Sequence, residues 1–108
     1  MATAAFEPIV RHAWVRLSDA TPIVDRDPIT VSKARGEQIE WFPPSTAREA
    51  RIITFAETPF RTNRFEVPVN GSVCSGPALT TAALKAYKYT ISDVHGKVIA
   101  DPQVVIRE

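Results

Sequence analysis

Tyr87-Lys88-Tyr89-Thr90-Ile91-Ser92, running into Asp93-Val94-His95-Gly96, carries the clearest pattern in the chain. Tyr87, Tyr89 and Ile91 alternate with Lys88, Thr90 and Ser92, and a period of two puts the first set on one face of a β-strand and the second on the other. The Asp-x-x-Gly stretch then turns the chain into residues 97–100 and 103–107, which predicts a closing hairpin. Working outward, nine prolines and four glycines punctuate the remainder at short intervals. Between them lie alternating runs of about five to eight residues, the length of strands rather than helices.

In the first run Ala13, Val15 and Leu17 oppose His12, Trp14 and Arg16. Ile29 and Val31 oppose Thr30 and Ser32, and after Arg35-Gly36 the residues Ile39 and Trp41 oppose Gln38 and Glu40, so residues 29–34 and 37–42 are expected to form a hairpin around Gly36. Pro43-Pro44 stops that run. Residues 45–50 are expected to make one helical turn, with Thr46 and Glu49 spaced as a capping box. Residues 51–55 read as a strand. Phe65, Val67 and Val69 alternate inward in another, and Pro68 there argues for a sheet edge, because proline cannot donate to a ladder. Residues 78–86 hold a second short helix candidate capped by Thr80. The expected architecture is all-β: an antiparallel Greek-key β-sandwich of seven to eight strands with one or two short helical turns. It forms a single domain over residues 1–108, with an N-terminal strand and linker in 1–27 and a core in 28–107.

The order Ile29-Thr30-Val31, Gly36-Glu37, Ile39 and Trp41, Ile53-Thr54-Phe55 with Pro59-Phe60, Phe65 and Val67, Gly71, Ser75-Gly76, Tyr87 and Tyr89, then Asp101-Pro102 with Val104-Val105-Ile106 resembles the cupredoxin-like (plastocyanin/azurin-like) domains. The likeness covers residues 28–107 and is greatest to members lacking the copper ligands. Copper-binding members hold the ion with two imidazoles, a thiolate and an axial methionine, a set that suits both copper oxidation states. Matched to that pattern, Ile91 stands where the cysteine belongs and His95 near the second histidine. No histidine lies in the segment immediately after Trp41, and Met1 is the only methionine. The resemblance therefore implies the fold without the metal. The alternative is a small mononuclear copper electron-transfer protein built from His12, Cys74 and His95.

The 108 residues are 44% hydrophobic and 23% charged, the mix of an ordinary globular domain. Thirteen basic and 12 acidic side chains leave a net charge of +1, which offers no field for a phosphate polymer, so nucleic acid is not an expected partner. The single cysteine, Cys74, excludes an internal disulfide. No apolar run approaches the roughly 20 residues of a membrane span, and the opening Met1-Ala2-Thr3-Ala4-Ala5 has neither the basic start nor the apolar run of a signal peptide. A cytoplasmic location is expected as written, and a periplasmic or secreted one if a signal has been removed.

Catalytic motifs are weak. Asp93 and His95 share a loop and could be the orienting half of a general base, but Ser72, Ser75 and Ser92 lack the strained elbow of a hydrolase nucleophile. Acidic residues do not cluster at calcium-loop spacing, and no glycine-rich phosphate loop occurs. The expectation is a protein that is not an enzyme but a binding or interaction module with no cofactor. Its candidate contact residues are Trp14, Arg16 and His12 on one face of the first strand, with Arg61 and Arg64 as a basic pair that could hold a carboxylate. A protein partner or self-association is expected, not a membrane. The competing expectation for Trp14 is that Phe6 and Ile9 fold over it.

Overall fold

The computed structural model describes residues 12–108, and Phe6 and Ile9 lie outside the described residues. Every regular element described is a β-strand. In chain order these are β1 (His12–Arg16), β2 (Ile29–Ser32), β3 (Gln38–Phe42), β4 (Arg51–Phe55), β5 (Arg64–Val67), β6 (Val73–Cys74), β7 (Ala86–Ser92), β8 (Val98–Ala100) and β9 (Gln103–Arg107). They form two sheets. The smaller has the order β1-β3-β6, and the larger runs β2-β9-β7-β4-β5 with β8 also on β7.

The closing hairpin forms as the alternation predicts. Lys88 stands opposite Gln103 and Ile91 opposite Ala100, and the Tyr89 N–H donates to the Pro102 carbonyl at 2.9 Å, so β8 and β9 are successive parts of one ladder beside β7. Gly96 takes a φ of 87°, a left-handed value that costs glycine little, to close the turn. β5 is an edge strand, with Pro68 just beyond its end, as the missing proline N–H requires.

Nine strands form among the described residues where seven to eight were expected, and Val69, expected to point inward, is exposed beyond the end of β5. Three further expectations are corrected. The tight turn at residues 33–36 exists, with Gly36 N–H donating to the Lys33 carbonyl at 3.2 Å, but β2 and β3 do not form a hairpin. β2 pairs with β9 and β3 with β1 and β6, so the turn is an arch between sheets. Inward apolar residues on both runs are equally compatible with two strands in one sheet or one strand in each. Second, the pairing is not purely antiparallel, because β1 runs parallel to β3 and β2 parallel to β9. Connections that cross from sheet to sheet bring strands back in the same direction, which a local reading cannot see. Third, residues 45–50 and 78–86 contain no helix; each makes a single turn, Ala47 N–H to the Pro44 carbonyl and Ala82 N–H to the Leu79 carbonyl, both at 3.0 Å. One turn of helix fixes several dihedrals for one hydrogen bond; residues 45–50 have no apolar stripe to offset this, and in 78–86 the residues at helical spacing, Leu79, Ala82, Ala83 and Ala86, are mostly alanine and offer too little area to bury.

One apolar cluster fills the space between the sheets. Val15, Ile39 and Trp41 enter from the smaller sheet, and Val31, Ile53, Phe55, Phe65, Val67, Tyr89, Ile91, Val104 and Ile106 from the larger. Leu17 and Val24, in the stretch expected to be strand and linker, are buried in the same cluster and joined by an isolated antiparallel bridge. Trp41 is the keystone, with its ring centroid 5.2 Å from Phe65, 5.7 Å from Tyr89 and 6.4 Å from Phe55. These are favourable tilted and edge-on aromatic contacts. Burial pushes the Tyr89 phenol far above its ordinary value of 10.0, against an opposite pull from Trp41. The Tyr89 hydroxyl and the Trp41 indole N–H are both buried without a hydrogen bond of normal geometry.

An unpaired buried hydroxyl contributes little and costs its desolvation. Tyr89→Phe should therefore leave the urea-unfolding free energy unchanged or raise it by up to about 1 kcal/mol. Phe55→Ala, which empties the same cluster, should lower it by about 3–5 kcal/mol.

Candidate functional site on the smaller sheet

Because Ile39 and Trp41 point into the core, alternation turns Gln38, Glu40 and Phe42 outward on β3. On β1, buried Val15 likewise turns Trp14 and Arg16 outward. Register then aligns the outward residues across strands. Trp14 stands opposite Glu40, and Glu40 opposite Cys74 on β6, so an aromatic ring, a carboxylate and a thiol form one transverse row. His12, two positions before Trp14, shares its face. β6 is only two strand residues long, yet it is clamped to β3 by side chains as well as backbone. Ile39 N–H donates to Ser75 Oγ at 2.9 Å, Ser75 N–H to the Ile39 carbonyl at 2.8 Å, and Gly76 N–H to Gln38 Oε1 at 3.1 Å.

Glu40 is the hub. Its Oε1 lies 2.9 Å from His12 Nδ1 and accepts from Trp14 Nε1 at 3.1 Å, while Oε2 accepts from Ser72 Oγ at 2.5 Å. The hydrogen bonds from Ser72 and then His12, with a smaller one from Trp14, hold the carboxyl below its ordinary 4.5 in spite of burial. The side chains of His12 and Glu40 are 29% and 18% exposed, and Cys74 is exposed. Burial, and then the negative charge of Glu40, push the Cys74 thiol upward. An imidazole, a carboxylate and a thiol side by side suggest a nucleophile with its base, but an activated thiol needs the opposite shift.

Trp14 is 57% exposed, so among the described residues nothing covers it. Beside it, Arg16, Asp25, Arg26 and Phe42 complete a shallow groove of about 390 Å³. The Arg16 guanidinium lies over the Phe42 ring, 5.1 Å from its centroid. Asp25 Oδ1 accepts the backbone N–H of Arg16 at 2.9 Å.

Of the expected contact residues, the structure gathers His12, Trp14 and Arg16 on this face. Arg61 and Arg64 belong to the larger sheet, Arg64 on β5 and Arg61 in the connection before it. The alternative copper ligands are only partly assembled, since His12 and Cys74 meet with Glu40, not His95, as the third donor. His95 sits in the β7–β8 turn, where Asp93 Oδ1 accepts the backbone N–H groups of His95 and Lys97 at 2.9 Å each. Asp93 is thereby occupied as a turn former and does not orient the imidazole. Glu40 and Ser72 escaped the sequence reading. Alternation marked Glu40 as outward, but only the β1–β3 and β3–β6 registers give it partners.

No protein-family model, curated protein or solved structure matches this chain. No helix among the described residues is long and apolar enough to cross a membrane.

The lowered Glu40 value has a consequence for stability. The folded state holds the charged carboxylate more strongly than the unfolded chain does, so its contribution is present above about pH 4.5 and fades as the pH falls through the lowered folded value. Glu40→Gln should lower the urea midpoint near pH 7, and the gap to the unchanged protein should narrow on titration to about pH 3. A gap constant with pH would contradict the hub role of this carboxylate.

Proposed function

We propose that the protein is a non-catalytic binding module on a copper-free, cupredoxin-like Greek-key scaffold, and that it grips a protein partner with the outer face of its smaller sheet. The observation that carries this reading is the exposed Trp14, whose indole N–H is tied to Glu40. A ring fixed before binding loses little freedom on contact, and tryptophan with arginine is the usual pairing of interface anchors. The scaffold assignment draws its support from the ordered strands and turns between Ile29 and Ile106.

The groove also indicates the chemistry of the partner. Arg16 and Arg26 face it beside Trp14 and Phe42, and its one carboxylate, Asp25, is engaged with backbone. A segment offering an apolar side chain next to a carboxylate meets both needs, because guanidinium binds carboxylate through paired donors. A copper electron carrier is the weaker reading. It requires two imidazoles and a thiolate, and Glu40 stands beside His12 and Cys74 where a second imidazole would be needed.

Trp41 is fully buried, so of the two tryptophans only Trp14 reports on the surface through its fluorescence. Titration with a synthetic peptide of alternating Leu and Glu should give a saturable blue shift, and the same peptide with Lys for Glu should not. Arg16→Glu should weaken the response at least tenfold, a loss of about 1.4 kcal/mol. Equal responses to both peptides, or none to either, would remove the proposal. A concentration-dependent dimer abolished by Trp14→Ala would assign the face to a second copy of the chain instead.

A further inference from the structure

Three strands bring three kinds of metal donor to one patch. One imidazole nitrogen of His12, one carboxylate oxygen of Glu40 and the sulfur of Cys74 all lie within 4.8 Å of one another. Four-coordinate zinc, with bonds of about 2.0–2.3 Å, spaces its ligand atoms about 3.3–3.8 Å apart. Side-chain rotation at partly exposed positions closes a difference of this size without moving a strand.

We propose that His12, Glu40 and Cys74 form a mononuclear site for a borderline divalent transition metal, with Zn2+ the best match, leaving a coordination position open on the outer side. The choice of ion follows from the donors. A thiolate and an imidazole are poor ligands for magnesium and calcium, which prefer oxygen. The carboxylate, together with the lack of a thioether, moves the set away from copper and toward zinc, which accepts nitrogen, sulfur and oxygen in one tetrahedron.

The surroundings resemble those of a built site. Ser72 and Trp14 hold the Glu40 carboxylate from outside the donor set, the kind of secondary hydrogen bond that orients a ligand. All three donors stand on strands, and the clamp of Ser75 and Gly76 onto β3 holds Cys74 in register with Glu40. The thiol must bind as thiolate, so loading the ion releases its proton to solvent.

Cobalt(II) added to the metal-free protein is the direct probe, because a cobalt–thiolate bond absorbs in the near ultraviolet. The expected result is a charge-transfer band that saturates at one equivalent, is absent in Cys74→Ser and is discharged by Zn2+. His12→Ala and Glu40→Gln should each weaken cobalt binding at least about tenfold, and His95→Ala should leave it unchanged. Circular dichroism of each metal-free variant separates loss of a ligand from loss of fold. No band at millimolar cobalt, a band that survives Cys74→Ser, or an equal loss with His95→Ala would overturn the site.

Discussion

The insertion of Trp41 between the two sheets is the contact on which the remaining structure depends. It is the largest fully buried side chain, and it touches Phe65, Tyr89 and Phe55 of the opposing sheet. With a single cysteine and no helix among the described residues to hold the layers together, burial of apolar area between them is the dominant favourable term. The same side chain sets the chemistry outside. A strand residue that points inward obliges its neighbours to point outward, so seating Trp41 in the core places Glu40 and Phe42 on the exposed face.

From there the outer surface is a matter of register. β3 lies in the middle of the smaller sheet, so each of its outward residues has a neighbour on either side. Glu40 consequently meets Trp14 from β1 and Cys74 from β6, and a carboxylate unremarkable in the sequence becomes the acceptor for His12, Trp14 and Ser72. The proposed peptide groove and the proposed metal site meet at this residue. One uses the ring that Glu40 braces and the arginines beyond it, and the other uses Glu40 itself. Slipping β1 by a single residue would bury His12 and Trp14 and dissolve both.

Local rules succeeded where the deciding information was local. The Tyr87 strand, its turn at Asp93 to Gly96 and the inward set of nearly every strand follow from side-chain period and turn chemistry. They failed where two chain segments distant in sequence had to find each other. Residues 29–34 and 37–42 carry the inward pattern and the glycine corner of a hairpin, yet the chain at Gly36 arches from one sheet to the other. The capping box of Thr46 and Glu49 was genuine as a pattern but had no apolar stripe behind it, so it ended as a turn.

The sequence by itself determined an all-β chain with one core, the inward and outward faces of its strands and the absence of an internal disulfide, because these depend on the nearest neighbours of each residue and on composition. Only the tertiary structure decided that β1 runs parallel to β3, that β6 closes on the far side, and that His12, Glu40 and Cys74 stand together while His95 is held elsewhere. The physical reason is that strand pairing is a choice among distant segments with similar patterns, and it is made by how the whole core packs.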